Sequence, residues 1–262
     1  MEVFVSIPPQ KYLVQRVGGE HVAVSVLVEP GRSPATYEPT PRQMTRLSGA
    51  SIYFAIGVSF EEVWLSRIGS ANPKMTIIPL QEGIPLREVE RASGTVAGEG
   101  RKDPHVWTSP RLAKLMSLRI RDALVAKDPA HREDYLANCA RLAADLEGLD
   151  RYILRRLQGV EGSSFMVFHP SWGYFADAYR LRQIPIETGG KEPGPRALQQ
   201  VIALGLREGV KVIFVQKQFS TRTAQTVARA LGARVATVDP LAEEYLVNMR
   251  QVADIFSEAL GK

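Results

Sequence analysis

Short apolar runs alternate with amphipathic stretches along most of the chain. In residues 1–128, β-branched and aromatic runs such as Val22 to Val28 and Ser51 to Ile56 predict strands. The segments between them, such as Glu61 to Ile68, have the three- and four-residue apolar spacing of helices. Alternation of strand and helix is typical of a mainly parallel sheet covered on both faces. We therefore predict an α/β fold for this half of the chain.

The pattern changes in the middle of the chain, where one helix is predicted from Ala130 to about Leu157. Such a helix would be roughly 40 Å long, which is unusual within a domain. A coiled-coil arm would explain it, but strand–helix alternation resumes afterwards, so a helix that links two lobes explains it better. We predict an N-terminal α/β lobe over residues 1–128, a linking helix over 129–159 and a C-terminal α/β lobe over 160–262. The apolar positions of the linking helix are Tyr135, Leu136, Cys139, Leu142, Leu146, Leu149, Ile153, Leu154 and Leu157.

Composition excludes several classes of protein. A hydrophobic content of 45% and a charged content of 23% are ordinary for a globular chain of 262 residues. The net charge of +5 is spread along helices without a dense basic cluster, so we expect no nucleic-acid partner. The single cysteine, Cys139, allows no intramolecular disulfide and no Cys-x-x-Cys site. We expect a monomer.

Membrane and export signals are absent from the sequence. No apolar run reaches the roughly 18 residues of a membrane-spanning helix. The chain opens directly in a predicted strand, and no signal peptide precedes it. If the natural protein is exported, we expect that its leader has been removed.

Candidate chemistry lies beside prolines. The predicted strand Phe165 to Phe168 ends at His169, because the following proline disfavours helical backbone there. His105 and Asp239 also adjoin prolines, and open α/β sheets place ligand-binding groups at the carboxyl ends of strands. Two imidazoles and a carboxylate could therefore converge on one divalent metal. Each signal is weak alone, because a single histidine is more often structural and an Asp-Pro step is usually a turn or a helix cap.

Four motifs occur together and strengthen these signals as a set. They are Pro30-Gly31-x-Ser33-Pro34-x-x-Tyr37-Glu38-Pro39-Thr40-Pro41, Asp103-Pro104-His105-Val106-Trp107, His169-Pro170-x-Trp172-Gly173-Tyr174-Phe175 and Val238-Asp239-Pro240-Leu241. With these motifs the chain resembles the periplasmic metal-binding proteins of zinc and manganese ATP-binding-cassette (ABC) importers, the class III or cluster A-I solute-binding proteins that include the zinc-uptake and treponemal TroA-type proteins. The resemblance covers nearly the whole chain. It implies two α/β lobes, each a mainly parallel four-stranded sheet with flanking helices, joined by one long backbone helix, with metal in the cleft between them.

The resemblance also implies a ligand set. It assigns His105 from the first lobe and His169 and Asp239 from the second lobe as metal ligands. The remaining family ligand is a histidine after the Ser-Pro of the first loop, where this chain has Ala35, whose methyl group cannot coordinate. The segment from about Gln81 to Lys102 lacks the histidine-rich loop of many zinc-specific members. Supporting residues of the cleft would be Tyr37, Glu38, Trp172 and Gln216.

Three explanations of the Ala35 gap stay open. In the first, His105, His169 and Asp239 hold the metal with water in the fourth position, which is a known zinc geometry. In the second, Tyr37 or Glu38 moves in, against the stiffness of a proline-rich loop. In the third, metal affinity is lost and the cleft serves another ligand.

The function implied by the resemblance is capture of a divalent transition metal and its delivery to an ABC permease. Zinc suits imidazole and carboxylate ligands best, with manganese or iron as alternatives. Ligation needs neutral imidazoles, so binding should weaken below about pH 6. The location would be periplasmic, or membrane-anchored outside the cytoplasm, and the resemblance also raises cell adhesion as a role.

Two rival functions stay open. An open zinc position could hydrolyse a substrate, but no general base lies beside the histidine motifs and no His-Glu-x-x-His helix occurs. We therefore predict that the chain is not an enzyme. A metal-free or chelated-ligand binding protein on the same scaffold is the second rival.

Overall fold

The computed structural model describes residues 1–90, 102–187, 190–218 and 221–261. Within these residues the chain forms eight strands and nine α-helices. The strands are β1 (Glu2–Val5), β2 (Ala23–Val26), β3 (Ile52–Ala55), β4 (Thr76–Pro79), β5 (Ser164–Val167), β6 (Arg182–Pro185), β7 (Val212–Val215) and β8 (Arg234–Thr237). The helices are α1 (Pro8–Gly18), α2 (Pro41–Leu47), α3 (Ser59–Ala71), α4 (Pro110–Lys127), α5 (Arg132–Arg156), α6 (Gly173–Ala178), α7 (Pro195–Arg207), α8 (Arg222–Leu231) and α9 (Tyr245–Leu260).

The first sheet has the strand order β2-β1-β3-β4, and every neighbouring pair is parallel. All four residues of β3 and the last three of β1 are buried. Central strands of a parallel sheet are covered by helices on both faces, which explains their continuous apolar sequence. The predicted parallel four-stranded sheet is confirmed.

The second sheet repeats this arrangement with the order β6-β5-β7-β8, again all parallel. Alternate residues of a strand face opposite sides. Met166 of β5 belongs to the core beneath α7 and α8. Its neighbour Phe165 instead lies 4.9 Å, between ring centroids, from Phe256 of α9. The second predicted sheet is therefore confirmed, with an aliphatic core on one face and an aromatic core on the other.

The long helix is also confirmed. Helix α5 spans 25 residues, Arg132–Arg156, and a short 3-10 turn at Pro129–His131 precedes it. At 1.5 Å per residue it is roughly 37 Å long. A single stripe along it is buried, as the three- and four-residue spacing predicts. The residues of this stripe are Tyr135, Cys139, Leu142, Leu146, Leu149 and Ile153.

The described chain divides into two compact units, and the division differs from the predicted boundaries. Unit 1 contains Met1–Ile84, Pro110–Leu149 and Leu241–Leu246, and unit 2 contains Pro85–Ser109, Asp150–Pro240 and Val247–Lys262. The segment Pro85–Ser109, predicted to lie in the N-terminal lobe, therefore groups with the C-terminal sheet. Part of the predicted loop from Gln81 to Lys102, residues 91–101, lies outside the described residues.

Two further features complete the description. Helix α1 begins at Pro8, because prolines are well suited to the first helical positions, where no N–H is needed. In the part of the chain that the structure describes, no helix has the length and apolar character required to cross a bilayer.

Candidate metal centre

Each strand of the second sheet is followed by a polar residue at its carboxyl end. His169 lies two residues after β5, and Glu187 lies two residues after β6. Gln216 directly follows β7, and Asp239 lies two residues after β8. Because the strands are parallel, these residues lie along one edge of the sheet, in the order Glu187, His169, Gln216, Asp239. This is the edge at which open α/β sheets bind ligands.

The register of the sheet places His169 between two of these neighbours. Val167 is paired with Pro185 of β6 and with Phe214 of β7. Two residues further along, Glu187 and Gln216 therefore lie on either side of His169. Strand pairing thus explains why three residues distant in sequence meet at one point.

His105 joins this group from a turn outside the sheet. Asp103 Oδ1 accepts the backbone N–H of His105 at 2.9 Å and lies 2.7 Å from its Nδ1. The ring centroids of His105 and His169 are 5.1 Å apart, and the planes are inclined by 73°. The structure therefore brings the two predicted histidines together. Both belong to unit 2, whereas the resemblance implied that His105 comes from the first lobe.

Each imidazole is held at Nδ1 by a buried carboxylate. Glu187 Oε1 lies 3.0 Å from Nδ1 of His169, as Asp103 Oδ1 does at 2.7 Å for His105. Asp103 is 4% exposed and Glu187 is 5% exposed. A carboxylate only accepts, so Nδ1 of each ring carries the proton and the lone pair of the ring lies on Nε2. Metal-binding histidines in proteins are commonly oriented by carboxylates in this way.

Electrostatics favour the neutral form of His105. Burial lowers the pKa of His105, Asp103 opposes this effect by its charge and its hydrogen bond, and the neighbouring His169 lowers the pKa further. A neutral imidazole is the form that ligates a metal. The surroundings of His105 thus keep it ready to bind over a wider range of pH than a free histidine.

One oxygen of Glu187 has no hydrogen-bond partner among the described residues. This atom, Oε2, is buried. The other oxygen, Oε1, lies 3.0 Å from Nδ1 of His169. Within the described part of the chain, the hydrogen bonding of the Glu187 carboxylate is therefore directed to the histidine.

Gln216 fixes the turn that carries His169. Its Nε2 donates to the carbonyl oxygen of His169 at 2.7 Å and to Ser171 Oγ at 2.9 Å. Its Oε1 accepts the N–H of His169 at 3.4 Å. With 1% exposure, the side chain lies beneath the site and positions the backbone of His169.

Asp239 lies near this region but does not complete a ligand set. Trp107 Nε1 donates to the carbonyl oxygen of Pro240 at 2.7 Å, which attaches the Asp239 turn to the segment of His105. Strand β7 separates β5 from β8, so the strands that precede His169 and Asp239 run about 10 Å apart. Among the described residues, no group of three or more His, Cys, Asp or Glu side chains is placed to hold a metal ion.

Trp172 is a core residue. Its side chain is fully buried, and its ring centroid lies 5.7 Å from that of Phe175 and 6.0 Å from that of Phe256. The prediction placed it among the supporting residues of the cleft, but its apolar bulk is used in the aromatic core of the second sheet.

The loop of the first unit uses its polar groups locally. The Tyr37 hydroxyl donates to Gln43 Oε1 at 2.6 Å, and its ring packs edge-on against Phe60 with centroids 5.4 Å apart. Gln43 in turn forms a capping box with Thr40 at the start of α2. Ala35 and Glu38 are exposed. Tyr37 is therefore part of the helix cap within its own unit.

The sequence did not identify Asp103 and Glu187 as residues of the site. Asp103 was recognised only as part of the Asp-Pro-His motif. Glu187 follows a predicted strand at the same offset as His169 and Asp239, which was the available signal. Without the strand order, nothing indicated that β6 is the neighbour of β5.

Comparisons with known proteins identify the family of the chain. The family model described as "Zinc-uptake complex component A periplasmic" (ZnuA) matches residues 3–259. The high-affinity zinc uptake system protein ZnuA of Bacillus subtilis (strain 168) is 26% identical over 99% of this chain and 88% of its own length. The manganese-binding lipoprotein MntA of Halalkalibacterium halodurans is 25% identical over 95% of this chain and 85% of its own length.

Solved structures share the fold of the chain. A crystal structure of ZnuA superimposes with a TM-score of 0.92 at 39% identity, and the match covers 100% of this chain and 99% of that one. A zinc-bound deletion mutant of ZnuA gives a TM-score of 0.91 at 41% identity, covering 100% and 98% of the two chains. With paired histidines at the carboxyl edge of a parallel sheet and a family match over nearly all its length, the chain belongs to the ZnuA family of periplasmic zinc-uptake components.

Proposed function

We propose that this protein captures Zn²⁺ outside the cytoplasm and delivers it to an ABC permease. The observation that carries the proposal is the pair of imidazoles with ring centroids 5.1 Å apart, each held at Nδ1 by a buried carboxylate. Such pairing fixes both rings and directs both Nε2 atoms to ligation. Family membership supplies the transport role, because relatives are named for zinc uptake.

The proposed ligands are His105, His169 and Asp239, with water in the fourth position. Ala35 offers only a methyl group, so three protein ligands and a water are the simplest set. Rotation of the Asp239 side chain toward the histidines would accompany metal binding. Imidazole and carboxylate together suit zinc, and manganese or iron would be weaker alternatives.

The names of the family and of its relatives support a location and a partner. The family model is described as periplasmic, and MntA is named a lipoprotein. We infer a periplasmic or membrane-anchored binding protein whose partner is a permease. Zinc would be cargo to be released, and the protein would act as a carrier rather than as an enzyme.

A zinc titration by calorimetry on chelator-stripped protein tests the proposal. We expect one site per chain, with the affinity reduced more than about 100-fold in His105→Ala and in His169→Ala, because each loses a direct ligand. His21→Ala and His131→Ala are matched controls. These histidines also pair with carboxylates, Asp134 at 2.9 Å and Asp128 at 2.7 Å, but lie in unit 1.

The control variants show whether a loss of zinc affinity is specific to His105 and His169 or follows removal of any histidine. Wild-type affinity in both controls, with loss in both site variants, is the expected result. If the wild-type protein shows neither heat nor thermal stabilisation with zinc, manganese or iron, metal carriage is wrong. A metal-free binding protein on this scaffold would then be the better hypothesis.

A further inference from the structure

The hydroxyl of Tyr174 connects the two histidine motifs. Tyr174 lies in the first turn of α6, five residues after His169, and is 5% exposed. Its hydroxyl donates to the carbonyl oxygen of Asp103 at 2.8 Å and accepts the N–H of Arg87 at 3.0 Å. The N–H of Asp103 donates back to the carbonyl oxygen of Arg87 at 2.9 Å. Three hydrogen bonds thus form a closed ring, which we call the tyrosine latch.

The side chain of Arg87 covers this latch. Its guanidinium contacts the carbonyl oxygen of Gly173 and the carboxylate of Glu90, and lies 2.8 Å from Asp177 Oδ2. Its Cζ is 5.8 Å from the centroid of the Tyr174 ring, within the range of a cation–π contact. The latch is therefore shielded from water on the side of Arg87.

Gly173 allows a close approach at this point. A Cβ atom at Gly173 would lie 3.0 Å from Arg87 Cζ and 3.1 Å from Asp103 Oδ2. These distances are tighter than ordinary van der Waals contacts, so a methyl group would push Arg87 or Asp103 by a few tenths of an ångström. The Trp-Gly-Tyr order of the motif thus places a residue without a side chain where Asp103 and Arg87 meet α6.

We propose that Tyr174 is a positioning residue that fixes His105 relative to His169 through Asp103. The inference rests on the proposed function and names the group that sets its ligand geometry. Asp103 Oδ1 orients His105, and Asp103 itself is held by the Tyr174 hydroxyl. Since α6 follows the His169 turn directly, one hydroxyl joins the supports of both imidazoles.

The chemistry of the hydroxyl suits this role. Burial raises the pKa of Tyr174 to about 12, so the group keeps its proton and remains a donor at neutral pH. Replacing it with hydrogen would leave the Arg87 N–H and the Asp103 carbonyl without their partner, in a buried place where water cannot readily substitute. The Asp103 carbonyl would then lose its bond to α6 and keep only the bond from the Asp103 N–H to Arg87, and we expect the orientation of His105 to relax with it.

Tyr174→Phe, compared with Tyr179→Phe, tests the latch. The Tyr179 hydroxyl, at the end of the same helix, donates to Asp150 Oδ1 at 2.9 Å, and Tyr179 is also buried. We expect zinc affinity to fall about tenfold in Tyr174→Phe, as for other residues that orient metal ligands. Tyr179→Phe should retain the wild-type affinity, although it also loses one buried hydrogen bond.

A spectroscopic measurement on metal-free protein separates this inference from the proposed function. ¹⁵N NMR of the histidine rings should show His105 as a single Nδ1–H tautomer in the wild type and in Tyr179→Phe, and as a mixture in Tyr174→Phe. This signal does not require that zinc binds. Failure of the wild type to bind zinc would overturn the transport proposal, while the tautomer would still decide the latch.

Two results would overturn the latch. One is a single Nδ1–H tautomer together with wild-type zinc affinity in Tyr174→Phe. The other is an equal loss of affinity in Tyr179→Phe, which would show a general effect of buried hydroxyls. If Tyr174→Phe does not fold, Gly173→Ala disturbs the same contacts of Arg87 and Asp103. The zinc affinity and the His105 tautomer of that variant then test the latch.

Discussion

The two sheets share one topology but use their carboxyl edges differently. At the edge of the first sheet, Glu61 of α3 accepts the N–H groups of Ile56 at 3.0 Å and Gly57 at 2.7 Å, and also the Ser6 hydroxyl. Gln10 accepts the N–H of Ser6 at 3.0 Å and donates to the carbonyl oxygen of Phe54 at 2.9 Å. This edge is a closed network in which each of these polar groups serves the loops of the fold.

The edge of the second sheet is built from similar groups with a different outcome. Gln216 again secures a turn, but Glu187 holds an imidazole and keeps one oxygen without a partner among the described residues. The comparison teaches that position at the end of a strand does not decide function. The function of such an edge depends on whether its polar atoms already form hydrogen bonds with the backbone or remain able to bind a ligand.

The largest effect that we expect from this comparison is a loss of zinc affinity on substitution of Glu187. Glu187→Gln keeps an acceptor for His169 Nδ1 but removes the negative charge that makes the imidazole a stronger ligand. We expect zinc affinity to fall about 10- to 100-fold, with little change in the free energy of unfolding. Titration calorimetry and urea unfolding measure the two quantities. A large loss of stability with unchanged affinity would place Glu187 with the structural carboxylates.

The same substitution at the other edge should act on stability instead. Glu61→Gln places an amide N–H₂ against backbone N–H donors in a buried site. We expect the free energy of unfolding to fall by about 1–3 kcal/mol, with zinc affinity unchanged. Urea unfolding of metal-free protein, with Glu62→Gln as an exposed control on the same helix, measures the effect. Loss of zinc binding in folded Glu61→Gln would break the distinction between the two edges.

The smallest effect is a pH dependence at the first edge. Burial raises the pKa of Glu61, and its hydrogen bonds only partly oppose this. A carboxyl whose pKa is higher in the folded state stabilises the protein below its unfolded pKa, and that contribution is lost as the pH rises through the folded pKa. The difference in unfolding free energy between the wild type and Glu61→Gln should therefore narrow as the pH rises above about 4.5.

Other titrating groups are common to both proteins, so the difference isolates Glu61. Unfolding curves in chelator at several pH values between about 4 and 7 would measure it. A difference that widens with rising pH would mean that the hydrogen bonds from Ile56 and Gly57 outweigh burial.

Much of the fold was predictable because periodicity reports directly on burial. The helix α5 and the parallel strands follow from apolar spacing alone. Helix starts were less certain, since Pro8 could end a strand as well as begin a helix. The grouping of Pro85–Ser109 with the second sheet depends on contacts such as that of Tyr174 with Asp103, which no local pattern expresses.

The candidate site was predictable in part for a related reason. His105 and His169 stand out because histidine is rare in this chain and both adjoin prolines. Glu187 did not stand out, because carboxylates are common and its importance depends on strand order. The sequence did not show that the Trp172 ring packs in the aromatic core, because an aromatic residue beside a histidine fits a site wall and a core equally well in one dimension.

The interleaving of the two units has a consequence for how the protein is made. Unit 1 is incomplete until Leu241–Leu246 is available. Unit 2 takes Pro85–Ser109 from early in the chain but is incomplete until Val247–Lys262 is available. A growing polypeptide can therefore finish neither unit before nearly the whole chain has left the ribosome, unlike proteins whose domains mature one after another. Truncation near the C-terminus should consequently damage both units at once, and a proteolytic fragment carrying either sheet alone would lack part of its own structure.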